Sequence, residues 1–265
     1  MKDQQIMNIA LVGAGNLATS LGVALRKNGH RVCQVFSRTM DSAKMLAERI
    51  DAEPITDIDR LTLNADVYIV ALKDSAIASL LPSLQKGREE RLFLHTAGSM
   101  PMDVFAPYFL HYGVLYPMQT FSKTRIVDFS HVPCFIEADS PDTLNRVKSL
   151  ADTLTDRVVN LTSESRKYLH LAAVFACNFS NLCYQMAHNV LKGVDLPFDL
   201  LLPLIDETVM KVHQLEPAQA QTGPAIRYDQ NVISAHLHLL GQDPDMAAFY
   251  QMASEQIHRL ATHHS

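Results

Sequence analysis

Gly13-Ala14-Gly15-Asn16-Leu17-Ala18 follows directly on a short apolar run at residues 6–12 and opens a segment of helical periodicity at residues 16–27. The hexapeptide fits G-x-G-x-x-G/A, and each small residue has a physical reason to be there. Gly13 permits the tight turn, Gly15 lets the backbone approach a pyrophosphate, and Ala18 allows close packing of helix on strand. The unpaired N–H groups at the start of the helix then face the phosphates. Glycine turns after strands are common, so the hexapeptide carries weight only in the right context. If that context holds, Gly13, Ala14, Gly15, Asn16 and Leu17 are cofactor-binding residues.

Working outward, strand and helix signals alternate through the first half of the chain. The first helical segment stops at Asn28-Gly29, a helix-end signal. Strands are expected at residues 32–36, 54–55, 67–72, 92–95, 114–116, 134–137 and 158–161. Helices are expected at residues 42–50, with Thr39 or Asp41 as N-cap, and at residues 75–84 and 141–154. Alternation at this pace indicates βαβ units and a mainly parallel sheet with helices on both faces. The hexapeptide then sits at the first βα turn, as dinucleotide binding requires.

The pattern changes near Thr162-Ser163. Residues 164–191 read as one long helical stretch, followed by helices at residues 199–214, 231–240 and 245–262. Pro197, Pro217, Gly223-Pro224, Gly241 and Pro244 separate them. The expected architecture is α/β, a Rossmann-type sheet domain over residues 1–160, followed by an all-helical domain over residues 161–265 that carries substrate-binding and dimerisation surfaces.

Composition narrows the function classes. Lys and Arg number 23 against 28 Asp and Glu, a formal net charge of −5, and 48% of residues are hydrophobic. Disorder is excluded by that balance. The absence of basic runs argues against nucleic-acid and anionic-membrane partners. Apolar stretches fall short of the roughly 20 residues that span a bilayer. Lys2, Asp3, Gln4 and Gln5 lead straight into an apolar run, with no secretion signal, and a cytoplasmic location is expected. The four cysteines, Cys33, Cys134, Cys177 and Cys183, form no C-x-x-C and are read as reduced thiols. No metal site is expected: His236 and His238 diverge on a helix, and no H-E-x-x-H occurs. The terminal His263-His264 is given no role.

The end of the second strand selects the cofactor. An NAD site places Asp or Glu there for the ribose 2′-OH. This chain has Phe36-Ser37-Arg38-Thr39 instead. Arg38 can pair with a 2′-phosphate, and Ser37 and Thr39 can donate hydrogen bonds to it, so the expected cofactor is NADP. The alternative is a solvated loop with a helix cap at Thr39.

Ligands of open α/β sheets lie beyond the carboxyl ends of the strands. Leu72 and Lys73, at the end of the fourth strand, are expected to border the cofactor, while Asp74 or Ser75 caps the next helix. His95-Thr96-Ala97-Gly98-Ser99 combines a titratable ring, two hydroxyls and a flexible glycine. It is either a substrate loop using His95, Thr96 and Ser99 or a turn with a satisfied histidine. In Tyr116-Pro117-Met118-Gln119-Thr120-Phe121, Gln119 and Thr120 could reach a ligand, or the aromatics could pack between domains. Lys167, His170, Val174, Asn178 and Asn181 fall on one stripe of the long helix at regular spacing. Buried polar groups need partners, which a cleft against the cofactor domain would supply. His170 could then protonate a carbonyl or imine as hydride arrives, with Asn178 and Asn181 orienting the substrate. The alternative is a structural network or a polar strip at a dimer interface. Further on, Asp229 is expected to cap a helix, and Arg227 could bind an anionic group.

With these residues in view, the chain resembles pyrroline-5-carboxylate reductase, ketopantoate reductase and the β-hydroxyacid dehydrogenases. More closely it resembles an uncharacterised family of NADP oxidoreductase-like proteins with a Rossmann-like domain and a helical C-terminal domain of unknown function. The marks are the Gly13 hexapeptide, the loops at residues 95–99 and 116–121, residues 170–179, and Thr222-Gly223-Pro224-Ala225. The resemblance implies an NADPH-linked reductase of a small molecule, with a helical domain of the 6-phosphogluconate dehydrogenase C-terminal type forming a homodimer. In ketopantoate reductase and the hydroxyacid enzymes a lysine works with an asparagine further along the same helix. Here His170 takes the lysine position, Asn178 is the asparagine, and Lys167 lies one turn earlier, out of register. The expected function is therefore NADPH-dependent reduction of a small carbonyl or imine between the domains. The missing lysine leaves room for an NADP-binding sensor or assembly protein without turnover, and related domains also serve flavin or deazaflavin partners.

Overall fold

Strands β1 (Asn8–Val12), β4 (Val67–Val70) and β5 (Leu92–His95) lie side by side and are almost wholly buried, which is why they read as unbroken apolar runs. A computed structural model describes residues 6–263. Lys2, Asp3, Gln4, Gln5 and His264, which the sequence reading named, lie outside them, as does the side chain of His263. The remaining strands are β2 (Arg31–Phe36), β3 (Glu53–Ile55), β6 (His111–Pro117), β7 (Cys134–Ala138) and β8 (Val158–Asn160). They form one eight-stranded sheet of order β3-β2-β1-β4-β5-β6-β7-β8. Every neighbouring pair is parallel except β6 with β7.

Alternate side chains of each central strand feed opposite layers. Ile9, Leu11, Ile69 and Leu94 pack under helices α1 (Asn16–Lys27), α2 (Met40–Ile50) and α4 (Pro141–Leu154). Ala10, Val12, Tyr68, Val70 and Phe93 face α3 (Asp74–Gln85) and the short turn that holds Phe105. Burying each large apolar side chain stabilises the fold by about 1.5–3 kcal/mol. The chain leaves β1 for β2 on one side and returns to β4 on the other. A crevice therefore opens at the carboxyl ends of β1 and β4, the usual place for a ligand in such sheets.

The long helical stretch is not uniform. It comprises α5 (Ser163–Ala173), a π-helical segment (Val174–Phe179) and α6 (Ser180–Lys192). The i→i+5 bonding of the π segment takes in extra residues per turn. The regular spacing that aligned His170 with Asn178 and Asn181 therefore does not continue past Val174.

Contacts divide the chain into residues 1–177 and 178–265, later than the break expected at residue 160. The helical stretch does begin at Ser163, but α5 is tied to the sheet by its own side chains. The second unit contains α6, α7 (Leu202–Gln214), the single turn α8 (Pro217–Ala220), α9 (Gln230–Leu239) and α10 (Pro244–His263), with no strand among its described residues. Asp229 caps α9 by accepting from the Val232 N–H at 3.4 Å, as its position predicts. Tyr228 stacks on His258, whose Nδ1 bonds the Ile226 carbonyl at 3.0 Å. No described helix is long and apolar enough to cross a membrane.

Candidate functional site

Gly13 and Gly15, in the turn between β1 and α1, answer to different causes. Gly13 sits at φ +128°, and a Cβ there would run into the Ala71 carbonyl at the end of β4. The fold itself therefore needs glycine at this position. Gly15 has φ −80°, which any residue adopts, and a Cβ on it would meet nothing within 4 Å. No feature of the protein requires glycine there. Open space over Gly15, at the uncapped N-terminus of a twelve-residue helix with no acid in its first turn, fits a pyrophosphate. Asn16 directs its Nδ2 to the Phe121 carbonyl at 3.1 Å, so its side chain fastens the loop after β6 across the start of α1.

At the end of β2, the Ser37 backbone N–H donates to the Ile55 carbonyl, and Arg38 and Thr39 are exposed. Thr39 is the N-cap of α2 by position, yet its side chain makes no cap bond. Arg38 forms no ion pair or hydrogen bond among the described residues. An unspent hydroxyl and an unpaired guanidinium thus stand where a 2′-phosphate is expected.

Leu72 is half-buried beside Gly13, and Lys73 is exposed at the N-cap of α3. The capping expected of Asp74 or Ser75 is not found. Asp74 instead accepts the Ser99 hydroxyl, drawing the loops after β4 and β5 together. Within the second loop, Thr96 is buried and Ser99 is exposed.

His95 is wholly buried, with its ring edge-on to Phe105 at 5.4 Å between centroids. Its Nδ1 accepts the Ala97 N–H at 3.2 Å, so the ring proton is on Nε2, which has no partner. Burial, and next the nearby Arg166 charge, push its pKa down to about 4. It is a neutral ring that shapes the turn rather than an exposed acid. An unfolded histidine takes up its proton near pH 6.5. Between that pH and about 4 the unfolded state binds the extra proton, so stability is complete above 6.5 and falls with acidification. The slope from this group approaches about 1.4 kcal/mol per pH unit. Urea unfolding at pH 7 and pH 5 should show a smaller difference for His95→Gln than for the natural chain. An equal difference would remove His95 as the cause.

His170 lies in the first unit, on the last turn of α5. Its Nδ1 is 3.1 Å from the hydroxyl of Tyr116 at the end of β6, with the two rings in an edge arrangement. Gly98 packs against the same ring edge, where a Cβ would come within 2.5 Å of Nδ1. The structure therefore brings together the loop after β5, the end of β6 and α5, with Gly98 and Tyr116 against the His170 ring.

Beneath them is an ion pair that sequence reasoning missed. Arg166 is wholly buried on α5, with Nη1 2.7 Å from Glu137 Oε2 on β7. Its Nη2 donates to the Met100 carbonyl at 2.6 Å. Glu137 also accepts the Ser163 N–H and hydroxyl, at 2.7 and 2.6 Å, and so caps α5 from a neighbouring strand. The only signal was an arginine one turn before His170.

The other expected residues are placed as follows. Gln119 is exposed, and its Oε1 is occupied by the Thr120 N–H at 2.8 Å in its own loop. Asn178 and Asn181 are exposed and belong to the second unit. Lys167 pairs with Glu164 at 3.2 Å on the surface. Cys33, Cys134, Cys177 and Cys183 are free thiols. No group of three or more potential metal ligands occurs among the described residues.

Two family descriptions match different parts of the chain, and the second begins within the first structural unit. Residues 8–97 match the family described as NADP oxidoreductase, coenzyme F420-dependent, and residues 132–257 match a domain of unknown function, DUF2520. A crystal structure from Bacteroides fragilis, described as a "putative NADP oxidoreductase", is 55% identical. It superposes with a TM-score of 0.94 over 96% of this chain and 98% of its own. An imine reductase from Myxococcus stipitatus, solved with NADP+, shares the fold at a TM-score of 0.65 with 13% identity, over 97% of this chain and 93% of its own. The glycerol-3-phosphate dehydrogenase [NAD(P)+] of Pseudoalteromonas translucida (strain TAC 125) is 33% identical over 78 residues, or 28% of this chain. That match spans 23% of the curated protein's length.

Proposed function

Because the chain belongs to the NADP oxidoreductase family represented by the Bacteroides fragilis protein, we propose that it is an NADPH-dependent reductase of a small carbonyl or imine compound. The observation that carries this reading is His170, a titratable ring held against the loop after β5, on the side of the sheet where the phosphate loop opens. The uncapped start of α1 and the space over Gly15 would hold the pyrophosphate, and Ser37, Arg38 and Thr39 the 2′-phosphate. Leu72 and Lys73 border the same loop. When bound, the reduced nicotinamide supplies hydride. The chain's own part is to hold a proton at His170 for the oxygen or nitrogen of the acceptor and to position that group with the Thr96 and Ser99 hydroxyls. Asn178 is carried as a substrate-orienting residue on the helical segment, with Asn181 and Gln119 as further polar contacts.

A homodimer through the helical unit is part of the proposal. Among the described residues of that unit only Ala225, Ile233 and Ser254 are buried. Leu204, Val194, Leu200 and Leu239 are each more than 60% exposed. A helical unit with so little core needs another surface to cover it, most simply a second copy.

NADPH oxidation measured against panels of 2-ketoacids and cyclic imines tests the reading. With the best substrate, His170→Ala should lower kcat by about 10²–10⁴-fold, the contribution of a positioned general acid. The NADPH Kd of that variant should stay within a few-fold. Equal turnover by the variant, or no acceptor in either panel, rules the proposal out.

A further inference from the structure

We infer that Tyr116 is a positioning residue for the reaction: its hydroxyl fixes the tautomer and orientation of His170, leaving the ring's exchangeable proton on Nε2. This rests on His170 being the proton donor and adds the group that makes it one. Tyr116 is at the end of β6, nearly buried, with its oxygen 3.1 Å from His170 Nδ1. Burial holds its phenol above the usual range, against the smaller opposing effect of Arg166, so at neutral pH the O–H is intact and able to donate. A neutral imidazole that accepts at Nδ1 carries its proton at Nε2. Among the described residues Nε2 has no hydrogen-bond partner, so that proton is free for an acceptor.

Gly98 closes the alternative. Its backbone lies against the Nδ1 edge so tightly that even a methyl would come within 2.5 Å, which leaves Tyr116 rather than solvent as the partner of that nitrogen. In the resting neutral ring the phenol donates to Nδ1. As the acceptor takes the Nε2 proton, the phenol proton passes to Nδ1 along that hydrogen bond, so no imidazolate forms; solvent then reprotonates Nε2 and the Nδ1 proton returns to the phenolate oxygen, and the ring keeps one orientation throughout. The charged and titratable groups around the pair are Arg166 and Glu137 below, His95 held neutral, Asp74 bonded to Ser99 across the loop, and Lys167 paired with Glu164 on α5 itself.

The test reads the ring directly. Ring-nitrogen NMR of the full-length protein, labelled with 15N-histidine and assigned by loss of one signal in His170→Gln, is recorded without substrate in alkaline buffer. The expected spectrum has Nε2 protonated and Nδ1 bare. In Tyr116→Phe the Nδ1–H tautomer should become substantially populated. With the best acceptor, kcat should fall about tenfold, while KM and the NADPH Kd stay within twofold. A structural role alone would lower the melting temperature without changing the tautomer. A natural-chain spectrum with the proton on Nδ1 overturns the inference even if the variant fails to fold. An unchanged tautomer in Tyr116→Phe, or a changed tautomer with unchanged kcat, overturns it as well. Inactivity of the natural chain toward every acceptor would refute the proposed reaction, and the spectrum would still decide the role of Tyr116 in fixing the ring.

Discussion

Glu137→Ala should lower the free energy of unfolding by about 3–5 kcal/mol, the usual cost of leaving a buried charge without its partner. The Arg166 side chain is 0% exposed and that of Glu137 13%, so solvent screens the pair little. Removing the carboxylate strands the guanidinium, whose Nε is already without a partner, and it frees the Ser163 N–H and hydroxyl at the start of α5. Arg166→Met should cost less, because an apolar chain of similar length fills the space and leaves Glu137 with Ser163. Combining Glu137→Leu with Arg166→Met should be markedly less destabilising than Glu137→Ala, since neither charge remains to be solvated. Urea unfolding of these variants, arranged as a double-mutant cycle, measures the coupling. Additive effects would show that the two groups do not act as a pair. The same variants should impair turnover, because Arg166 ties α5 to the Met100 carbonyl one turn before His170.

That ion pair also marks where reading the sequence runs out. The central strands were legible because a parallel sheet buries both faces, so residues 67–70 and 92–95 show as apolar runs without alternation. The tight turn after β1 was legible because the fold needs glycine at position 13, directly after an apolar strand. Arg166 was not, since an arginine near the start of a helix reads as solvated unless its partner is known, and Glu137 lies 29 positions away on another element. Tyr116 read as an aromatic packing residue, and only the folded chain shows its hydroxyl on His170. The π-helical segment leaves no mark in composition, so the polar stripe drawn at α-helical spacing ran straight through it. His95 was left open between a substrate ligand and a histidine satisfied within its turn, and its burial and the Ala97 bond favour the turn. The division at residues 177 and 178 follows from the same hidden contacts, which bind α5 to the sheet.

Gly15→Ala should leave the folded chain intact and cripple cofactor binding, whereas Gly13→Ala should damage the fold itself. At Gly13 the new methyl would drive into the Ala71 carbonyl and would also sit at φ +128°. Strain and overpacking of this kind cost on the order of 1–3 kcal/mol each. At Gly15 the backbone is extended and the methyl meets no protein atom within 4 Å, so the melting temperature should move by less than about 2 °C. What the methyl would occupy is the approach of a pyrophosphate to the first N–H groups of α1. Losing that approach removes charge-assisted hydrogen bonds worth about 1.5–3 kcal/mol, which is about 10–150-fold in Kd. Gly15→Ala should therefore weaken NADPH and NADH alike. Arg38→Ala should weaken NADPH alone, because an unpaired guanidinium at the end of β2 has no phosphate to meet in NADH. Titration of both nucleotides into both variants separates the two sites. Undiminished binding by Gly15→Ala would mean that no phosphate lies over that glycine, and an unchanged NADPH-to-NADH ratio in Arg38→Ala would remove the 2′-phosphate from its guanidinium.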